Sequence, residues 1–458
     1  MLLTLSAAFG LIAALLTVIG TFWALKIASL SKEGILKYAF YALLLSNALA
    51  IFLSARDFSS TGESFTNALN TNFIASWSIR LTSMLLMLAA VERIIYFFRQ
   101  NTIDLTRLSF ALIILFTWLT NFAIPTYITA GMGLQISHLY SLVFGVGIAL
   151  SLQENKTAIM LHARNALILF VIISLLSILI KPNHVLDLSY SQGYIPGLPR
   201  FFGLAPHATM MGSLSALAFW LLITFPLKNY RHNLALLSIM LISLIMSQSK
   251  TVLVIFVLGL FVFYLFSERR SQSSVIQPKE NFTKLLLLSI GVVFISGMLL
   301  GILLMDVETW AYQNMSAETI YKLTTLTGRI EIWTIALEAF QENPLFGYGN
   351  ALFSPQHRAE IGMPYATHGH NQFIDTLGRS GLIGLSGDIA IYSFLAYFSI
   401  KFAKETKGLS LNLFILITLY SITAVPITWS SLGPQIFTFL LLLTLIASNL
   451  PNPKETAQ

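Results

Sequence analysis

Apolar runs long enough to cross a bilayer, broken by short polar connections, make up most of the chain, and one long polar stretch at 306–379 interrupts them. A spanning helix needs about 20 predominantly apolar residues. Such runs fall near 3–25, 37–55, 73–92, 108–125, 132–152, 163–180, 206–226, 233–247, 250–267, 284–305, 381–400, 410–428 and 432–449. The pattern predicts thirteen spans, with a miscount most easily made in the short, closely spaced pair after Asn233. Met1 opens an apolar stretch reaching Trp23 without a basic n-region or a small-residue cleavage site, which reads as a retained helix and not a signal peptide.

Basic residues then orient the spans, because cytoplasmic connections carry an excess of Lys and Arg. Lys26, Lys32 and Lys37, then Arg93, Arg99 and Arg107, then Lys156 and Arg164 mark alternate connections, continued by Lys228 and Arg231, by Arg269, Arg270, Lys279 and Lys284, and by Lys401, Lys404 and Lys407. The other set, 56–71, a Pro-rich turn near Pro125, 181–206, 247–250, 306–379 and 430–434, is longer or poorer in basic residues and is expected to face out. With this count the C-terminus is inside and the N-terminus outside. The halves show no convincing repeat of the kind many transporters use.

Composition agrees with the pattern. The chain has 458 residues, of which 56% are hydrophobic and 10% charged, with mean hydropathy +0.75. Soluble domains carry roughly 25% charged residues, so the sequence predicts an all-α polytopic membrane protein of about 12–13 spans with one large outward helical loop. Net charge +7 and pI near 9.4 are absorbed mostly by orientation and do not argue for nucleic acid. Without cysteine, disulfides and thiolate metal sites are excluded. The expected division is 1–305 for the first ten spans, 306–380 for the large loop and 381–458 for the last spans and a short tail.

The outward loops hold the candidate chemistry. In the first, Pro199, Gly203 and Pro206 constrain the backbone around Arg200 at the mouth of a span. Arg suits bidentate phosphate binding, while an interfacial Arg snorkelling to headgroups would look the same. Ser247-Gln248-Ser249-Lys250 is a polar knot that offers either an ordinary turn or a cation for an anionic substrate.

In the large loop, 306–321 reads as short helical pieces. From Thr327, a plausible N-cap, Ile330, Trp333, Leu337 and Phe340 recur three and four apart, the spacing of an amphipathic helix. Arg329 sits in its first turn, the wrong end for the helix dipole, and shares a face with Trp333. The helix stops before Asn343-Pro344, and Gly347-Tyr348-Gly349 allows a tight backbone.

His368-Gly369-His370-Asn371 leads into a second helix that Gly378 and Gly381 interrupt. Two histidines at i,i+2 reach one site only in an extended or turn geometry. They fit a general base better than a metal site, because the nearby carboxylates are only Glu360 and Asp375 and no helical His pair is present; a structural pair capping the helix remains a third reading. Arg80 and Asp388, inside spans, are by default paired or functional, unless they lie near span ends and snorkel.

Thr327-Gly328-Arg329-x-x-x-Trp333, Asn343-Pro344-x-x-Gly347-Tyr348-Gly349, His368-Gly369-His370-Asn371-Gln372-Phe373 and Gly381-Leu382-Ile383-Gly384 together resemble the O-antigen ligase and polymerase superfamily of bacterial envelopes, over roughly the last third of the chain. The resemblance implies a GT-C-like inner-membrane glycosyltransferase acting on the periplasmic side without metal or cofactor. It implies an undecaprenyl-diphosphate-linked glycan as donor and a glycan or lipid A-core as acceptor, in contact with membrane lipid and with a chain-length regulator protein as a further candidate partner. On that basis Arg200 and Arg329 would bind the donor diphosphate, and His370, with His368 the alternate, would be the base. Lys250 stands where related sequences often carry Arg, which puts its phosphate role in doubt; Asn371, Trp333 and Tyr348 would support the site. No carboxylate pair suggests a covalent intermediate, so inversion is expected. Polymerisation of repeat units is the first reading, ligation to lipid A-core the second, protein O-glycosylation the third. A lipid-linked sugar transporter ranks lower, since it would place ionisable residues through the membrane depth.

Overall fold

The computed structural model describes residue 15 and residues 18–23, 36–59, 72–100, 103–151, 156–190, 193–195, 197–266, 329–363, 366–430 and 432–451. The span expected at 284–305, most of the one at 3–25, the helical pieces at 306–321, the Thr327 cap and the basic loop at 269–280 lie outside these residues.

The described chain is an all-α polytopic membrane protein. Its helices are α1 (Leu36–Leu53), α2 (Phe73–Phe98), α3 (Leu105–Trp118), α4 (Tyr140–Leu150), α5 (Lys156–Ile180), α6 (Ala208–Thr224), α7 (Tyr230–Met246), α8 (Lys250–Phe266), α9 (Arg329–Glu342), α10 (Pro355–Glu360), α11 (Gln372–Lys401), α12 (Leu409–Tyr420) and α13 (Phe437–Asn449). Four helical stretches, Phe73–Phe98, Leu105–Thr129, Thr157–Ile180 and Gln372–Lys401, are long and apolar enough to cross a membrane, and seven shorter apolar helices accompany them.

Helix faces explain the packing. Nearly every residue of α6 and α13 is buried, as expected of helices that are apolar all round and stand at the centre of a bundle. By contrast α2 buries small and hydroxylated residues such as Ala75, Ser78, Ser83, Ala89 and Ala90 and exposes Trp77, Leu81, Met84, Leu88 and Ile95. That three-to-four spacing of exposed large side chains is a lipid-facing stripe, and the small residues let neighbours approach closely. At Gly147 of α4 a Cβ would lie 2.5 Å from Ala90 Cβ.

Three boundaries depart from the sequence reading. The helix does not turn at Pro125; it continues from α3 as a π-helix over Leu119–Thr129 with Pro125 inside. The wider i→i+5 winding accommodates a residue that lacks an N–H and would crowd the preceding carbonyl. The span expected to 428 ends at Tyr420, after which turns and irregular backbone run to a short 3₁₀ turn, Pro434–Ile436. The α9 stripe is displaced: Ile332, Ala336 and Ala339 are buried, while Ile330 and Leu337 are exposed. Contact with α11 selects the small residues, since a Cβ on Gly378 would come within 2.8 Å of Ala336 O.

The expected break at Gly381 is present as a kink at φ 59°, ψ −155° within α11. Asp388 is buried and paired, accepting from Asn121 Nδ2 and Thr376 Oγ1, each at 2.6 Å. Arg80 is exposed, with its guanidinium 5.8 Å from the Trp77 ring centre.

A Cβ on Gly381 would meet Leu345 C and O at 2.5 Å, in a backbone region open only to glycine. Gly381→Ala is therefore expected to destabilise the protein by roughly 1–3 kcal/mol, read as a lower melting midpoint in detergent. Gly133→Ala, which meets nothing within 4 Å, should melt like the parent; equal midpoints for both variants would refute the kink's steric origin.

Candidate active site

Arg200 is braced by its own strand and by a neighbouring loop. It opens a two-residue strand, β2 (Arg200–Phe201), paired antiparallel with β1 (Leu186–Asp187) in the register Asp187↔Arg200. Asp187 accepts from the Ser189 hydroxyl at 2.7 Å, and among the described residues it forms no ion pair with Arg200. The guanidinium stacks 4.4 Å from the Tyr190 ring centre, and its Nε donates to Ser247 O at 3.3 Å. The polar knot thus serves Arg200 through its backbone. Gln248, at φ 51°, braces the same loop by donating from Nε2 to Leu198 O.

Below it, buried Arg56 donates from Nε to His184 O at 2.6 Å and from Nη1 to Ala205 O at 2.7 Å, with a third bond to Gly203 O. Three carbonyls on one guanidinium fix the turn from which His207 emerges as N-terminal neighbour of α6. Lys250, first residue of α8, is exposed, and nothing among the described residues ties it to Arg200.

The histidine motif is held by α9 and the first turn of α11. Trp333 Nε1 donates to Gly369 O at 2.7 Å, and Gly369 N donates to Asp375 Oδ1 at 2.6 Å. Gly369 is there for close approach, a Cβ falling 3.0 Å from that of Asp375, whereas the left-handed residue is His370 at φ 49°. Asn371 caps α11, accepting from Phe373 N at 3.0 Å and Ile374 N at 3.1 Å, and its amide donates to Ile422 O at 3.2 Å. Tyr348 joins α11 by donating its N–H to Gly378 O at 3.1 Å, and its hydroxyl donates to Glu342 at 2.8 Å. At Gly347 and Gly349, φ is 61° and 59°, and added Cβ atoms would strike the backbones of Arg379 and Pro125.

The two rings lie 4.1 Å apart, and the His370 backbone N–H donates to His368 Nδ1 at 3.1 Å. An accepting Nδ1 leaves the neutral His368 ring with its proton on Nε2. Burial, then His207, Arg379 and Arg329, push His368 down to about 3; burial, then His368, Arg329 and His207, do the same to His370. Both rings are neutral at ordinary pH.

These couplings draw the cluster together. His207 keeps exposed surface although it lies deep among protein atoms, and burial, then Arg200 and Arg56, hold it below the usual imidazole range. Burial lowers Arg329 from the ordinary guanidinium range. Tyr420, donating to Thr209 Oγ1 at 3.2 Å, lies within electrostatic reach of both Arg329 and Arg200. The couplings group Arg200, His207, Arg329, His368, His370 and Tyr420, from four separated segments, as one candidate site. Sequence reading had not singled out His207, Tyr420 or Asp375; His207 follows the Arg200 loop directly, which was the one available signal. Among the described residues no group of three or more His, Asp or Glu could hold a metal ion.

The bundle is that of a polytopic membrane protein, and it gathers cations and neutral imidazoles where helices end in loops. Residues 235–387, about a third of the chain, match the family model described as O-Antigen ligase. That match makes this third of the chain similar to the O-antigen ligase family. It includes Lys250, Arg329, Trp333 and both histidines and stops short of Tyr420; Arg200 and His207 precede it. No curated protein was found to match the chain.

Histidine NMR on uniformly ¹⁵N-His-labelled protein, assigned with His368→Gln and His370→Gln, checks the electrostatics. Both rings should give neutral-imidazole signals down to pH 5, and pyrophosphate should move their titration upward. An imidazolium signal from either at pH 6 without ligand would contradict the account.

Proposed function

We propose that the protein transfers a glycan from an undecaprenyl-diphosphate donor to an acceptor hydroxyl, on the periplasmic side of a bacterial inner membrane, by a single inverting displacement without metal. The observation that carries this reading is the pair Arg200 and Arg329. Neither guanidinium has a carboxylate partner among the described residues, and both lie beside neutral histidines. Half-buried cations left unpaired are costly, and a diphosphate, which guanidinium groups grip bidentately, answers both at once.

The reaction balances on these groups. The acceptor oxygen forms a bond to the anomeric carbon as the bond from that carbon to the diphosphate oxygen breaks, and the electron pair leaves with undecaprenyl diphosphate. Arg200 and Arg329 take up the charge that develops on the leaving group. His370 receives the acceptor's proton. His368 suits a donor's part, since its Nε2 carries a proton and its Nδ1 is engaged; Tyr420 and His207 line the cleft as further hydrogen-bonding groups.

Bound diphosphate also tunes the base. An anion beside an imidazole favours the imidazolium and raises its pKa, so His370 becomes a stronger base once the donor arrives. Polymerisation of repeat units is the primary reading; ligation to lipid A-core is the second, and the description of the matched family as a ligase supports it. Deleting the gene and resolving the host's envelope polysaccharide on a gel separates them. Core capped with one repeat means polymerase; bare core with long glycan retained on the lipid carrier means ligase; an unchanged pattern removes both.

His370→Ala should cut transfer by about 10²–10⁴-fold, the worth of a positioned base, with normal membrane insertion; near-parent rates would eliminate it. Arg329→Lys should lose about ten- to a hundredfold, as a charged hydrogen bond is lost, and full activity would mean that a point charge suffices. In pH profiles the acid limb of kcat, which reports the bound state, should lie at higher pH than that of kcat/KM, which reports the free enzyme. Coincident limbs would argue against tuning by the donor.

A further inference from the structure

A cavity of about 270 Å³ lies beside the histidine motif, walled by the π-helical segment, the first turns of α11 and the irregular segment after α12. Of the cluster residues only His368 reaches it. Its chemistry differs from the arginine cleft. The charged groups on its wall, Asp375 and Arg379, pair with each other at 3.0 Å, so no net charge faces the interior.

Its polar groups divide into two sets. Asn121 is committed to Asp388, and Asn350 to Arg379 at 2.8 Å, so these fix the shape. Gln435 and the hydroxyls of Thr367 and Ser430 have no partner among the described residues, and Gln372, whose Oε1 accepts from Ile427 N, keeps its amide hydrogens free. Buried Trp429 adds an apolar surface. A neutral wall with unspent amides and hydroxyls beside an indole suits a hydroxyl-rich ring and not a phosphate.

We propose that this cavity is the subsite for the neutral sugar unit of the acceptor that bears the attacking hydroxyl. The assignment rests on the transfer reading above and adds the direction of approach. In an inverting displacement the nucleophile enters from the side away from the leaving group. The cavity meets the cleft at His368 and is lined by neither Arg200 nor Arg329, so a hydroxyl presented from it reaches the histidine pair from a side free of the leaving-group cations. The new bond joins that oxygen to the donor's anomeric carbon, and its proton passes to His370.

The test uses full-length protein in nanodiscs, with the host's lipid-diphosphate-linked repeat unit as donor and the oligosaccharide of the same repeat as acceptor. Gln435→Ala removes one hydrogen-bonding group and should raise the acceptor KM about tenfold, leaving the donor KM and the slow hydrolysis of donor in water unchanged. Ser430→Trp, at an exposed position, should fill the space and raise it further. An unchanged acceptor KM in both variants overturns the assignment, as does a rise in donor KM alone, which would give the cavity to the donor's own sugar. A wild type that neither transfers nor hydrolyses the donor would instead strike the transfer reading. Calorimetric binding of the free oligosaccharide then still decides the cavity: weaker binding by both variants supports a sugar subsite, equal binding refutes it.

Discussion

The carboxylate of Asp375 ties the functional half of the molecule together. It stands in the first turn of α11, where the helix dipole favours an anion, and accepts from the Gly369 N–H and from Arg379 Nε. Arg379 extends that bond outward, donating to Asn350 at 2.8 Å and Thr367 O at 3.0 Å and lying 5.0 Å from the Phe353 ring centre. One ion pair thereby links the histidine loop, the 3₁₀ turn Gly349–Ala351 and the membrane helix. Trp333 closes the frame from α9. The left-handed backbone at His370, uncommon for a residue with a side chain, persists inside this frame, which is how local strain is usually kept at a working site.

The arginines divide by partner. Arg56 and Arg379 spend their donors on carbonyls, an amide and one carboxylate, and their work is positioning. Arg107 is similar, bonded to Ser151 O at 2.8 Å and paired with Asp104. Among the described residues Arg200 and Arg329 have no carboxylate partner. That contrast separates structural from substrate-facing cations better than burial does, because Arg379 is half-buried like Arg200 and Arg329 and yet fully engaged.

Much of this was legible in the sequence, and the parts that were not share a cause. Apolar runs located α5, α6, α7 and α8 within a few residues at most boundaries, apart from the start of α5, since bilayer thickness imposes length. The Gly381 kink and the His-Gly-His turn were readable from local backbone chemistry. The stop at Tyr420 was masked because 421–428 stays apolar enough to continue a span, although Pro426 hinted at it. The α9 stripe was misjudged because periodicity registers large side chains, while tight contact with Gly378 rewards Ala336 and Ala339. Pro125 read as a turn because a π-helix has no sequence period of its own. His207 and Tyr420 join the candidate site, and Gln435 the neighbouring cavity, from distant segments, and no local pattern announces a tertiary meeting.

The charge arrangement also bears on the order of events in the proposed reaction. Burial and neighbouring cations hold both imidazoles near 3, so a hydroxyl that meets His370 before the donor arrives finds a poor proton acceptor. The diphosphate supplies negative charge beside Arg329, which removes part of the penalty on the imidazolium at the moment a base is needed. Acceptor bound in a neutral cavity feels little of that change, because Asp375 and Arg379 cancel at its wall. Donor charge therefore governs activation while acceptor shape governs entry, and the single residue common to both spaces is His368.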